Sequence, residues 1–247
     1  MKIRFFGTSD GVPTATRKCT SLALETNGKI YAIDMGAPFV HNLLKSGKTV
    51  DDVNAVFITH THTDHVQDLF AYASIISWYY KDSTANIYLP EINLADAIKN
   101  FYKATDNSDL SDRVKFTLYD KSTVYEDENV KVTFIPTGHL EWANRPSYAI
   151  MFEVEGKKVL FSGDLSNGLK KDDYPAVLYN EHFDAVILEL AHFEMSEVLP
   201  HLNKSDIDNL FFNHVNNRHR KEDDIIAYSK TTKTNVVIVK DDDCYEI

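Results

Sequence analysis

The chain has 247 residues, a formal net charge of −11, 43% hydrophobic and 26% charged residues, a balance that fits a globular α/β protein and excludes disordered and fibrous classes. So acidic a chain repels nucleic acid unless a basic patch overrides the field, and no stretch is apolar enough for a secretory leader or a membrane span, which makes the cytoplasm the default location and a membrane no partner. The two cysteines, Cys19 and Cys244, have no CxxC spacing, so both are expected as free thiols rather than as a disulfide or a metal cluster.

In chain order, β-branched and aromatic runs predict strands at Ile3 to Phe6, Ser21 to Leu24 and Ile30 to Asp34. Pro38 to Lys45 then has Phe39, Leu43 and Leu44 at helical spacing. A strand follows at Ala55 to Thr59, and Val66 to Tyr80 carries a broad apolar stripe of Leu69, Phe70, Ala73, Ile75 and Ile76 that predicts a helix. Ile87 to Leu89 reads as a strand, Leu94 to Tyr102 as a helix, and Val114 to Tyr119 and Val130 to Ile135 as strands. Tyr148 to Val154 and Lys158 to Ser162 flank Gly156, a hairpin signal that pairs them and leaves Asp164 at a strand end. Further strands are expected at Ala185 to Leu190, Leu210 to Asn213 and Val236 to Val239, with a helix at Glu222 to Tyr228.

The nearest approach to a basic patch is Arg218, His219, Arg220 and Lys221, followed at once by Glu222, Asp223 and Asp224, which reads as a solvated helix start. Neither repeats nor Pro/Gly/Ser-rich linkers interrupt the chain, so residues 1–247 are expected as one domain. Strand-rich halves with flanking helices predict an α/β fold of four layers, αββα, in which two mixed sheets pack face to face under outer helices.

The run His60-Thr61-His62-Thr63-Asp64-His65 closes one predicted strand and opens a helix, a junction at which side chains converge. Imidazole nitrogen suits zinc and its transition-metal neighbours. His60 and His62 therefore fit one metal, and Asp64 and His65 can face a second, the carboxylate offsetting part of the cationic charge. Three later strand ends carry single ligands: Ile135-Pro136-Thr137-Gly138-His139, Phe161-Ser162-Gly163-Asp164 and Phe211-Phe212-Asn213-His214. Each alone reads equally well as a turn or capping residue. Together with the first run they read as a metal-ligand set.

In this order the motif resembles the metallo-β-lactamase superfamily. Phe6-Gly7-Thr8-Ser9-Asp10-Gly11-Val12-Pro13 with Arg17, and Ile33-Asp34-Met35-Gly36, look like its ribonuclease Z and phosphodiesterase branch. The resemblance implies two divalent ions, usually Zn2+, with Mn2+ or Fe2+ as alternatives. It places His60, His62 and His139 on the first metal, Asp64, His65 and His214 on the second, Asp164 between them, and Asp34 behind the ligands, where it reads equally well as a plain turn aspartate. Glu189-Leu190-Ala191-His192-Phe193 looks like the late histidine motif of several hydrolases of this group, which makes His192 a candidate proton donor, the alternative being a loop histidine hydrogen-bonded near the site. The remaining histidines, His41, His182, His201 and His219, lack ligand spacing.

The implied chemistry is hydrolysis by a hydroxide bridging the metals, with Asp64 orienting it as a catalytic residue. The opening segment favours a small phosphodiester, cyclic or nucleotide-derived, with Arg145 and Ser147 as substrate contacts or as ordinary loop residues. Hydrolysis of a lactone, thioester or amide is the alternative. Processing of tRNA 3′ ends is disfavoured: Leu165 to Asp184 is too short and acidic for the basic arm of such members, and Thr63 stands where they have glycine. A silent metal-binding protein is a further alternative. The flavin-linked diiron members are set aside because they resemble H-x-E-x-D-H, where this chain has His62. Family analogy suggests a homodimer.

Overall fold

A computed structural model describes residues 1–216 and 221–247, with residues 171 and 172 by backbone alone. The chain divides into two compact units. The first comprises Met1–Gly7, Gly11–Asp120 and Asp241–Glu246, and the second Thr8–Asp10, Lys121–Lys240 and Ile247. Arg218, His219 and Arg220 of the basic run lie outside the described residues.

The first unit is built on β1 (Lys2–Gly7), β2 (Ser21–Thr26), β3 (Lys29–Met35), β4 (Val53–Phe57), β5 (Ala85–Leu89) and β6 (Val114–Leu118). Its helices are α1 (Phe39–Lys45), α2 (Thr63–Val66), α3 (Leu69–Trp78) and α4 (Ile92–Asp106). The second unit holds β7 (Val124–Glu126), β8 (Val130–Pro136), β9 (Tyr148–Val154), β10 (Lys157–Phe161), β11 (His182–Leu190), β12 (Asp206–Val215) and β13 (Asn235–Ile238), with helices α5 (Met195–Leu202) and α6 (Lys221–Ser229). The last strand, β14 (Cys244–Glu246), pairs antiparallel with β1 and so completes the first unit's sheet.

Each unit therefore contains one mixed seven-stranded sheet, in the order β14-β1-β2-β3-β4-β5-β6 for the first and β13-β12-β11-β10-β9-β8-β7 for the second. In the first, β3 to β6 run parallel, so β3 and β4 end at the same edge. In the second, β8 and β10 both pair antiparallel with β9, and β10, β11 and β12 are mutually parallel. Hence β8, β10, β11 and β12 share one direction, and the residues after them emerge at one edge, where ligands gather in open α/β sheets. The mixed sheets and their helices match the sequence reading.

Each sheet is covered on one face by its own helices. Phe39, Leu43, Leu69, Tyr72, Ala73, Ile76 and Ile98 pack with Ala32, Val56 and Ile87 in the first unit, and Met195, Val198, Leu202 and Ile225 with Leu160, Val186, Leu188 and Phe212 in the second. The uninterrupted burial of Ile30 to Met35 and of Ala185 to Leu190 shows that the opposite faces are buried as well.

The sequence anticipated the twelve longer strands and the Glu155-Gly156 hairpin, where both residues have positive φ, 53° and 75°. It missed β7 and β14, three-residue edge strands too short to show alternation. It also missed α5, whose Pro200 argues against a helix, although Glu194 and Glu197 form a capping box at its start. The predicted helix from Val66 to Tyr80 is two: α2 ends before Asp68, whose carboxylate takes the Val40 N–H at 2.7 Å and marks the start of α3.

Two bulges bear on function. The register of β2 with β3 steps from Leu22↔Ile33 to Ser21↔Met35, leaving Asp34 as the extra residue at φ 57°. Likewise β11 with β12 steps from Glu189↔Asn213 to Leu190↔Val215, leaving His214 at φ 51°. A bulge re-aims one side chain without ending the ladder, and the left-handed backbone it needs costs about 1–3 kcal/mol in a non-glycine residue.

Gly36 follows the first bulge at a point of close backbone approach. A Cβ there would lie 2.2 Å from the Asp64 carbonyl oxygen and 2.6 Å from that of Thr20. Gly36→Ala must push the backbone under Asp64 aside, and a loss of roughly 3 kcal/mol is expected from urea unfolding. An unchanged midpoint would show that the close approach is not required.

Candidate metal centre

In the first unit, the segment after β4 carries His60, His62, Asp64 and His65, and the end of β3 carries Asp34. Asp34 is 1% exposed and holds the segment in place. Its carboxylate accepts the Thr59 backbone N–H at 2.8 Å, the Thr59 hydroxyl at 2.8 Å and Nδ1–H of His65 at 2.6 Å. The one Thr59 hydroxyl proton is committed to Asp34, so the contact of 3.1 Å between Thr59 Oγ1 and His60 Nδ1 is donated by the imidazole. Both rings thus carry Nδ1–H and present Nε2, the arrangement in which a buried carboxylate orients metal-ligating histidines.

The rings are close to one another. Centroids of His60 lie 4.8 Å from His62 and 4.1 Å from His65, and His65 Nε2 lies 3.3 Å from Asp64 Oδ2. Thr61, between the two leading histidines, points elsewhere and donates to Glu91 at 2.8 Å. Buried Cys19 stands near Asp64, and burial first, then that carboxylate, push its thiol above the ordinary range, so it remains a protonated, inert thiol. Cys244 is exposed and likewise free.

In the second unit, His139 follows β8, Asp164 follows β10, His192 follows β11 and His214 occupies the bulge of β12. His139 Nδ1–H donates to the Leu165 carbonyl at 3.0 Å, leaving Nε2 3.7 Å from Asp164 Oδ2. Burial lowers its pKa against the pull of the Asp164 carboxylate, which favours the neutral ring that a metal ligand must be. Asp164 Oδ1 lies 3.7 Å from His214 Nδ1. Ligand atoms of Asp164, His192 and His214 all fall within 4.8 Å of one another.

Two residues to which the sequence assigned no role of their own shape this edge. Asp173 accepts the Gly138 N–H and the Ser166 N–H at 2.7 Å each, one on each carboxylate oxygen, and so ties the loop bearing His139 to the loop after Asp164. Burial raises its pKa and these two bonds oppose the rise. Glu189, 3% exposed, accepts from Leu165 N at 2.8 Å and from Nδ1 of His192 at 2.9 Å through one oxygen, and from Ala191 N and His192 N through the other. An acid three residues before a strand-end histidine was a readable signal for Glu189. Nothing in the local sequence marks Asp173.

Other expectations meet a different outcome. Ser147 is 3% exposed, donates to the Thr137 carbonyl at 2.9 Å and receives the Thr137 hydroxyl at 2.8 Å, so it braces the loop before His139, the ordinary loop role. Arg145 lines a cavity of about 470 Å3 with Thr137, Gly138, Asn144 and Lys170. His41 and His182 are exposed, the latter 3.1 Å from Asp206, and His201 stacks on Tyr174 with centroids 5.2 Å apart. His219 lies outside the described residues. Lys221 is not part of a solvated helix start: it is 2% exposed. Among the described residues no helix is long and apolar enough to cross a membrane.

Two mixed sheets flanked by helices, with histidines and aspartates at the strand ends, define a member of the metallo-β-lactamase superfamily on its ribonuclease Z- and phosphodiesterase-like branch. The metallo-β-lactamase fold protein YhfI from Bacillus subtilis superposes with a TM-score of 0.77 at 16% identity over 99% of each chain. The short form of human tRNase Z gives 0.76 at 20% identity, covering 100% of this chain and 99% of that one. In sequence, ribonuclease Z of Microcystis aeruginosa is 33% identical over 135 residues, 54% of this chain and 42% of that protein. The chain spans less than half the length of the curated relatives it matches. Residues 1–210 match the family model of the anti-Pycsar protein Apyc1, and the chain belongs to that family.

Proposed function

We propose that the protein is a metal-dependent phosphodiesterase acting on a small phosphodiester. In this reading His60, His62, Asp64 and His65 act together with His139, Asp164 and His214 to hold two divalent ions, Zn2+ being the ion best suited to imidazole and carboxylate donors. The observation that carries the reading is the locked tautomer of His60, His65 and His139, each donating from Nδ1 to a fixed acceptor. A histidine so held has its ring oriented and, in the neutral form a ligand needs, its tautomer fixed with Nε2 left for an ion.

Two divalent ions, when bound, would supply Lewis acidity at the phosphoryl oxygens and lower the pKa of water towards neutrality. The chain's own residues do the rest. Asp64 accepts a hydrogen bond from the attacking water and orients it. As the new O–P bond forms, the water's proton passing to solvent, and the bond to the leaving group breaks, the departing oxygen takes the Nε2 proton of the doubly protonated His192 ring, which is left neutral with its Nδ1–H still held by Glu189. The relatives called ribonuclease Z are named for action on RNA, a phosphodiester polymer, which supports phosphorus over a carbonyl centre. A net charge of −11 and the short acidic segment from Leu165 to Asp184 support a small substrate over a polynucleotide.

Protein reconstituted with Zn2+ or Mn2+ is expected to hydrolyse at least one of a panel of cyclic and nucleotide-derived phosphodiesters, with turnover abolished by a chelator and restored by the metal. A preparation with both ions bound that cleaves lactones or thioesters and leaves every phosphodiester untouched would sink the proposal.

A further inference from the structure

We propose that Lys221 is a positioning residue for His192, acting from α6 on the main chain of the loop that presents the imidazole. The inference rests on the reading of His192 as proton donor. Lys221 is 2% exposed, and its ammonium donates to the Ala191 carbonyl at 3.1 Å and to the Phe193 carbonyl at 2.7 Å, with Glu194 Oε1 at 3.4 Å. An ammonium is among the costliest groups to bury, and its long side chain loses rotamer freedom when fixed. Its three N–H bonds face three acceptors, which is how such burial is tolerated.

The position of those acceptors gives the arrangement its meaning. The two carbonyls belong to the residues immediately before and after His192. Three further polar groups of the segment are also bound: Ala191 N and His192 N donate to Glu189 Oε2 at 2.7 and 3.1 Å, and the His192 carbonyl accepts Gly168 N–H at 2.9 Å. The backbone torsions of His192 are set by the peptide planes on either side of it. The plane after it is anchored by Gly168. The plane before it is anchored at its N–H by Glu189 and at its carbonyl by Lys221, and loses one of the two anchors without the ammonium. Glu189 also fixes the ring through Nδ1, so backbone and side chain are held by two residues of opposite charge from different elements. A group that moves a proton must be kept within a fraction of an ångström of its partner.

The test compares two phosphodiesters with metal-loaded protein: one whose leaving group is the weakly basic nitrophenolate, which departs without protonation, and one whose leaving group is a strongly basic alkoxide, which needs it. Lys221→Met is expected to keep the metal content and KM of the parent, to lower kcat for the alkyl ester about 10–100-fold, and to change kcat for the nitrophenyl ester less than about threefold. His192→Ala sets the reference for the same selectivity, and Lys221→Arg, which keeps a cationic donor for two carbonyls, is expected to recover part of the loss. Hydrogen exchange at the Ala191 and His192 amides gives a readout independent of turnover and is expected to accelerate in Lys221→Met while α6 stays protected. Should Lys221→Met not fold, Lys221→Gln carries the same comparison.

A His192→Ala enzyme that slows both esters equally sinks the donor reading. Leaving-group selectivity in His192→Ala but not in Lys221→Met, or unchanged exchange at the two amides, overturns the positioning role while leaving the donor reading standing.

Discussion

Asp34→Ala is expected to lower divalent-metal affinity about 10–100-fold, the usual cost of removing a partner that orients metal ligands. It is also expected to destabilise the metal-free protein by roughly 3–5 kcal/mol, because two buried N–H donors lose a charged acceptor. Both effects have one origin. The carboxylate is the common acceptor for the Thr59 N–H, the Thr59 hydroxyl and Nδ1–H of His65, and through Thr59 it sets the tautomer of His60. Alanine leaves the Thr59 N–H and the His65 Nδ1–H buried without an acceptor, and both rings become free to present the wrong nitrogen. For a chain of this length the stability loss corresponds to a fall in melting temperature of about 6–20 °C. Chelator competition measures the first effect and thermal unfolding the second. Unchanged metal affinity with lowered stability would confine Asp34 to a structural role.

Glu189→Gln is expected to lower kcat about 10–100-fold with a smaller change in KM, and to cost roughly 1–3 kcal/mol of stability. Each oxygen of Glu189 accepts two hydrogen bonds, from Leu165 N and His192 Nδ1 on one side and from Ala191 N and His192 N on the other. An amide keeps only one oxygen. Whichever way it is turned, its NH2 faces two N–H donors, so either the loop turn or the imidazole is released. Steady-state kinetics checks the first effect and urea unfolding the second. A variant with parental kcat would mean that His192 needs no carboxylate behind it.

The fold was legible to the extent that its elements were long. The apolar runs of β3, β4, β8 to β12 and the stripes of α3 and α4 carry their periodicity in the local sequence, because a strand or helix buried on a face must repeat apolar residues along it. The short edge strands β7 and β14 bury too little to leave a pattern, and Pro200 masked α5. The candidate ligands were legible for a related reason: each segment that carries them follows an apolar run, and a strand end is where a sheet exposes side chains to a ligand. The bulges that aim Asp34 and His214 were not legible, since a one-residue slip in register depends on the partner strand.

The order of the candidate ligands along the chain, the strand-end position of the segments that carry them and the superfamily they point to were determined by the sequence alone, because all three are properties of short contiguous segments. Tertiary structure decided what holds those ligands: Asp34 under His65 from 31 residues away, Asp173 beneath Gly138 from 35, and Lys221 across the carbonyls beside His192 from 30 and 28. The physical reason is that a hydrogen bond between a buried charge and a distant main-chain group leaves no periodicity in either segment. It exists only once burial has removed water as the competing partner.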